Sequence, residues 1–454
     1  MLIRHFVLRR RPSAVATLAF AAIVCGHTVA FAQATSPSPP ARTPQGLFGA
    51  VGRSETAPNR LDFTASLIEG YDSDVPAEFR RNIDQSSLVD GFSTIFSTSM
   101  DYAWTGRRAQ VGATASSAWR YYNELGETRS AGYSAGLGAS FQLSRRTTLF
   151  ANQAAAYLPT YLYGIFPTGV DLAPGATPPT AQDFSTNEFR SYTYVTSAAL
   201  GHDFTSRSRM SLDGDFSYTD RLDETPQWRD VDSHRLQGEY AHDVGRNTAL
   251  TARYAYRSGE FGYGVVGTTT EHSLNVGVNY TRPLSATRRA VLSFSIGPSG
   301  ADIPQTIGNT TVVRRQYQAV SEAGFAYDFG RSWTARANYR RGLEYVVDLP
   351  EPVYADSVGA GVAGLLSRRV DLSLSAAYSS GESLLNLGST LFDTYTGDVR
   401  LRYALTRTFA AYAEYLYYYY DFREGAQLLA GIPAGLERNG VRAGLTLWVP
   451  ALGR

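Results

Sequence analysis

Asp213-Gly214-Asp215 sets two carboxylates two residues apart, a spacing that puts both on one face of an extended chain. Such a pair can hold a cation, but no fuller run of calcium-loop oxygen ligands follows it. Gly262-Tyr263-Gly264-Val265-Val266-Gly267 matches the glycine pattern of a dinucleotide-binding turn. No helix is expected after it, and a pyrophosphate needs a helix N-terminus, so the run reads as an outer loop. His202, His234, His242 and His272 have neither a second His at i+4 nor a Cys at ligand spacing. No metal, cofactor or catalytic residue is therefore expected. A barrel hydrolase built from scattered residues is the third-ranked reading, behind a conduit and a docking barrel.

The more informative charges are those that recur on one parity. Arg235, Gln237 and Glu239 alternate along one segment, and Arg253 and Arg257 along the next. Glu322, then Arg336 and Arg340, then Asp398, Arg400 and Arg402, then Glu414 and Arg442, continue the set, with Arg120, Asp213 and Asp215 preceding it. Charges of both signs on one face can pair across neighbouring strands. These residues are the candidate lining of a polar lumen.

The elements that carry them alternate apolar and polar with period two. Met210, Leu212, Phe216 and Tyr218 oppose Ser211, Asp213, Asp215 and Ser217. Trp333, Ala335, Ala337 and Tyr339 oppose Thr334, Arg336, Asn338 and Arg340. Leu372, Leu374, Ala376 and Tyr378 do the same against Asp371, Ser373, Ser375 and Ala377. Such segments run about 10 to 14 residues, enough to cross a bilayer at a tilt, whereas soluble strands average about 5 to 6.

Small residues followed by Arg punctuate the chain at Arg107, Arg145, Arg207, Arg246, Arg288, Arg331, Arg368 and Arg407. The spacings are 38, 62, 39, 42, 43, 37 and 39, close to two long strands, one turn and one loop in all but one case. The interval of 62 contains a Pro- and Gly-rich stretch at 166–186 that reads as a long loop. A propeller blade would need four short strands in each period, and only two long ones are present. Eight tight turns join sixteen strands. One strand precedes them (Asn59 to Ile68) and one follows (Glu437 to Val449), so 18 strands are expected. The fold class is all-β: a transmembrane antiparallel up-and-down β-barrel with short periplasmic turns and longer extracellular loops.

Composition agrees. The 454 residues include 42 basic residues, all Arg, and 41 acidic ones. The first 34 residues hold four Arg and no acid, so the remainder carries 38 against 41, a net charge of −3. A nucleic-acid binder would show a strong basic excess. A mean hydropathy of −0.22 with 18% charged residues excludes a helical membrane protein of many spans. Aromatics at 13% are too frequent for a disordered chain.

Residues 1–34 read as a signal peptide. Arg9, Arg10 and Arg11 precede an apolar core from Ala14 to Gly26, and Ala32-Gln33-Ala34 offers a cleavage site. Cys25, inside that core, is the one cysteine of the chain. Residues 35–58, with Pro37, Pro39, Pro40, Pro44 and Pro58, read as a periplasmic linker, and 59–454 as the barrel.

Paired aromatics near strand ends suit lipid girdles: Tyr102 and Trp104, Trp119 and Tyr121, Tyr254 and Tyr256, and Tyr415, Tyr417 and Tyr419. Tyr412, Tyr418 and Tyr420 take the other parity, as amphipathic wall residues or as rings that stack on sugars. Trp448 in the last strand reads equally as a girdle residue and as an assembly signal.

Glu69-Gly70-Tyr71-Asp72-Ser73-Asp74-Val75, with Phe79 and Arg80 behind it, closes the expected first strand and is also a plain turn former. The run resembles the G-Y-D-S-N-V opening of an outer-membrane barrel family, the beta-barrel porin 2 group, with Asp74 in place of its usual Asn. The resemblance implies a porin accessory to surface-polysaccharide export, in the outer membrane of a Gram-negative bacterium. Its implied partners are outer-membrane lipid, a polysaccharide and periplasmic export proteins, with no nucleic acid. From the residues alone the expectation is a passive conduit with a wet, charged lumen. The alternative is a closed structural barrel that docks a periplasmic partner through the linker.

Overall fold

The computed structural model describes residues 59–453, apart from 77–87, 123–128, 160–189, 222–229, 261–266, 286, 308–309, 330–331, 345–351, 385–389 and 424–433. The expected signal peptide and linker lie outside the described residues. So do the 166–186 insert, most of the glycine pattern at 262–267, the Gly330-Arg331 turn, and Phe79 and Arg80.

Every regular element among the described residues is a strand. The first nine are β1 (Asn59–Pro76), β2 (Leu88–Thr105), β3 (Ala109–Tyr122), β4 (Arg129–Gln142), β5 (Thr147–Pro159), β6 (Arg190–Asp203), β7 (Ser208–Arg221), β8 (Val231–Asp243) and β9 (Thr248–Glu260). The second nine are β10 (Thr268–Ser285), β11 (Arg288–Ile307), β12 (Thr310–Phe329), β13 (Trp333–Glu344), β14 (Val353–Ser367), β15 (Val370–Ser383), β16 (Thr390–Ala404), β17 (Phe409–Phe422) and β18 (Gly435–Gly453). Each pairs antiparallel with its sequence neighbours, and β1 pairs with both β2 and β18. The sheet is closed, with 18 strands, as the turn spacing predicts. A strand of 14 residues is roughly 46 Å long at about 3.3 Å per residue.

The tight turns form where Ser, Thr or Gly precedes Arg, for a local reason. Ser144, Thr205, Ser367 and Thr406 each accept a hydrogen bond at the hydroxyl from the backbone N–H two residues on, at 3.1 to 3.2 Å. The hydroxyl thereby mimics a backbone acceptor and reverses the chain. At Gly106 the backbone N–H donates to the Ala109 carbonyl at 2.8 Å, and the adjacent Trp104 ring occupies the space a side chain would need.

The outward parity carries the apolar residues. Phe63, Leu67, Phe96, Leu212, Leu236, Leu274, Phe294, Val399 and Leu445 are all exposed on the outer surface. Aromatic contacts run strand to strand at the loop end: Tyr133 to Tyr157, Tyr157 to Tyr192, Tyr194 to Tyr218, and Tyr395 to Tyr419, with centroids 5.1 to 6.5 Å apart. At the turn end the Trp333 indole lies over Gly364 and donates to the Leu365 carbonyl at 3.1 Å.

Three features differ from the sequence reading. The first strand does not end at Ile68; it continues to Pro76, and the last spans Gly435–Gly453 rather than Glu437 to Val449. The Glu69–Val75 run is therefore strand, not turn, because β18 and β2 supply ladder partners on both sides. Trp448 opposes Thr64 on the inward parity, next to outward Val449, so it is not a lipid-girdle residue.

The closing seam explains why that run is extended. Asp72 points inward, wholly buried, and pairs with Arg438 at 2.8 Å, with Arg442 at 3.7 Å. Glycines make the room. A Cβ on Gly440 would stand 2.6 Å from the Asp72 carboxylate, and one on Gly70 would stand 3.1 Å from the Arg442 stem. A one-residue slip would turn these charges to the outer face, so the pair also selects the register. Removing one member of a buried pair strands the other charge, which costs about 3–5 kcal/mol. Asp72→Ala should lower the unfolding free energy of the refolded barrel, read from urea titration, by that amount, and much less in an Arg438→Met, Arg442→Met background. Equal losses in both backgrounds would rule out the pair as the cause.

Candidate functional site

All fifteen charged residues singled out in the sequence lie on the inward parity, because each alternates with an outward apolar neighbour or opposes an inward residue in the ladder. The fold gathers them into separate groups.

The first group occupies a corner of the barrel. Arg253 on β9 donates to Glu239 on β8 at 2.9 Å and to Glu322 on β12 at 3.1 Å. Two strands, β10 and β11, lie between β9 and β12, a gap one guanidinium cannot bridge over a gently curved wall. The sequence supplies the sharp bend. Inward positions here are small, and a Cβ on Gly277 would stand 2.6 Å from the Phe294 carbonyl, while one on Gly297 would overlap the Leu274 carbonyl. The β10–β11 register is interrupted between Ser273↔Ser299 and Val276↔Ile296, beside Pro298, which has no N–H to give. Freed there from ladder bonds and side chains, the sheet folds inward and brings β9 to β12.

Arg257, four residues further along β9 on the same face, reaches across the same corner to the Leu343 carbonyl on β13 at 3.0 Å. Arg340 pairs with Glu344 at 3.0 Å and lies in the field of Glu322 and Glu271. Glu271, buried on β10, accepts from Ser299 at 2.6 Å. Three guanidinium groups thus meet four carboxylates, a local balance of −1. Arg235 and Asp215 form a neighbouring pair at 2.6 Å, and Asp213 is buried beside them with its hydroxyl partner Ser211 at 3.4 Å. Asp213 and Asp215 do not converge on an empty cation position, since each has its own partner.

The second group lies further round the wall, on β15 to β18, with Arg336 on β13 apart from both groups. Arg402 pairs with Asp371 across the β15–β16 ladder, with Nε to Oδ2 at 3.0 Å. Asp398 accepts from Ser375. Arg400 opposes Glu414, which opposes Arg442, which contacts Asp72. Arg336 faces inward between Ala326 and Gly361.

The walls differ in access to water. Ser116 and Ser134, hydrogen-bonded at 2.6 Å, are exposed on the inner face of β3 and β4, and Arg235 is exposed on β8. Beside them round the sheet, the inner face from β16 to β2, with Arg120 at the loop end of β3, is packed. Ile68, Ile95 and Tyr412 form one buried cluster, and Tyr418, Tyr420, Phe422 and Phe392 form an edge-to-face series at 5.3 to 6.0 Å. Arg120, Arg442 and Glu414 are buried in this wall, at 4% exposure or less. The lumen is therefore not uniformly wet. Tyr412, Tyr418 and Tyr420 present no open ring face for a sugar, because they pack against one another and their neighbours.

Sequence reading missed Asp72, Arg438, Glu271, Glu344 and Asp371 as partners. Asp72 was hidden by its turn-forming neighbours, whereas Glu271 and Asp371 were recoverable from parity alone. It also missed Gly132-Tyr133-Ser134-Ala135-Gly136, which fits the pattern of a hydrolase nucleophile elbow. An elbow needs a strand-to-helix turn, and this run lies inside β4 with Ser134 held by Ser116, so it makes no nucleophile.

No family model matches the chain, and no curated protein matches it. Among solved structures it is similar to the ferric-catecholate import receptor Fiu of E. coli K12, with 9% identity over 89% of this chain and 86% of that one, TM-score 0.43. It is also similar to Pseudomonas aeruginosa OccK7 (OpdD), with 11% identity over 88% and 100%, TM-score 0.43. For Acinetobacter baumannii OccAB3 the values are 11% identity over 86% and 99%, TM-score 0.39. These likenesses are weak, and the closed barrel rests on the strand pairing described above.

Arg253 holds two carboxylates whose strands are otherwise apart, and hydrogen bonds to charged groups are worth about 1.5–3 kcal/mol each. Arg253→Met should lower unfolding stability by about 3–6 kcal/mol, and Glu322→Gln by less. Urea titration of the refolded protein measures both, and an unchanged midpoint for Arg253→Met would rule out the strap as a structural tie.

Proposed function

We propose that the chain is an outer-membrane β-barrel channel that passes small hydrophilic solutes, with the Arg253 corner as its selectivity element. The observation that carries this reading is the strap itself. Arg253 and Arg257 project from one strand across a folded corner into carboxylates and a carbonyl, with water-exposed Arg235 beside them on β8 and water-exposed Ser116 and Ser134 further round on β3 and β4. An apolar outer face supports a lipid setting, because in hydrocarbon every backbone polar group must be paired within the sheet, and here no strand edge is left over. Barrels of 16 to 18 strands have room for an aqueous path. Charged rings at a narrowing set which ion or solute enters, through desolvation and Coulomb terms.

A second reading is the closed docking barrel. The packed inner wall at Ile68, Ile95 and Tyr420 favours it. Removing residues 35–58 separates the two: loss of partner capture with unchanged solute flux supports docking. The finer reading, service to polysaccharide export, rests on the Glu69–Val75 resemblance alone; a deletion strain with unaltered surface polysaccharide would dismiss it.

In planar bilayers the refolded protein should give discrete conductance steps. Arg253→Ala leaves the corner with two arginines and four acids, so the cation-to-anion permeability ratio read from the reversal potential in a salt gradient should rise several-fold. Absence of conductance in the unaltered protein would sink the channel reading.

A further inference from the structure

The motif that orders the barrel's turns has a second feature that strand reversal does not require. The outward residue at the end of each preceding strand is large and apolar. Leu143, Phe204, Val244, Leu284, Leu366 and Leu405 occupy this place in six of the turns, each 43 to 58% exposed. Within four residues of each comes an exposed arginine: Arg145, Arg207, Arg246, Arg288, Arg368 and Arg407. None of these six is in an ion pair among the described residues. Nearby acids are already held elsewhere, Asp243 by Arg209, Asp328 by Arg289 and Asp371 by Arg402, which leaves Asp203 as the exception.

The other rim is built differently. Among the described residues three outward arginines there are neutralised: Arg315 pairs with Asp302 at 2.6 Å, Arg341 with Asp356 at 2.9 Å and Arg423 with Asp393 at 2.9 Å. One rim is thus a ring of uncompensated guanidinium groups, each beside an apolar anchor on the lipid side, and the other is self-paired. An apolar side chain continuous with the hydrocarbon-facing surface, followed at once by a cation, matches the step from acyl chain to phosphate. Arginine binds phosphate oxygens in a bidentate fork and is weakly hydrated, so it suits that layer better than free solvent.

We propose that this ring seats the turn end of the barrel in the headgroup layer of one leaflet and binds the phosphates of anionic phospholipids there. The inference rests on the membrane reading above. The test refolds the full chain into vesicles of phosphatidylcholine alone and of phosphatidylcholine mixed with phosphatidylglycerol, then counts lipids retained after detergent extraction by native mass spectrometry. The unaltered protein should retain phosphatidylglycerol over phosphatidylcholine by about fivefold per engaged arginine. Changing Arg145, Arg207, Arg246 and Arg407 together to Gln should abolish the preference while the barrel still inserts. The same four positions changed to Lys should keep most of it. Equal retention of both lipids by the unaltered protein would overturn the proposal and leave an acidic protein partner as the occupant. An undiminished preference in the Gln variant would overturn it too. Failure to insert into either vesicle is a separate outcome, which overturns the membrane reading and this one with it.

Discussion

A sheet with an oily outer face cannot leave a strand edge unpaired in hydrocarbon, because each orphaned N–H or C=O there costs several kcal/mol. Closure of β1 on β18 is the condition on which the rest depends. The two strands come from opposite ends of the barrel sequence, so no local turn fixes their register. Asp72, Arg438 and Arg442 supply it from the inside, with glycines cut to their shape. Buried ion pairs are weak contributors to stability but good selectors of register, since any slip buries or exposes an unpaired charge.

Curvature is the second constraint. Eighteen strands joined at even bends would leave a round lumen in which charges on β9 and β12 stay apart. The interrupted ladder at β10 and β11 concentrates bending at one corner, and the arginine straps then tie that corner shut. From β16 to β2, aromatic and aliphatic residues fill the inner wall. The interior combines a packed stretch from β16 to β2 with water-exposed polar positions on β3, β4 and β8, the last beside the charged fold. This asymmetry confines any path for solute to the polar side and puts it within reach of Arg253.

Much of this was legible in the chain. Alternation assigned Arg235, Glu239, Arg253 and Glu322 to the inner face because side chains in a strand change sides at every residue, which depends on nothing distant. Ser144, Thr205, Ser367 and Thr406 marked turns through a hydroxyl that bonds two residues away. What misled was the same locality. Glu69 to Val75 is rich in turn formers, yet strands on either side hold it extended, and the ladder outweighs local preference.

By itself, then, the sequence determined the fold class, the number of strands, the place of the tight turns and the face each charge occupies, all set by interactions within a few residues. Only the tertiary structure decided that Arg253 meets Glu322, that Asp72 meets Arg438, and that one inner wall is packed while the other stays wet. Those depend on where a closed sheet bends and how its first and last strands align, and a period of two carries no information about either.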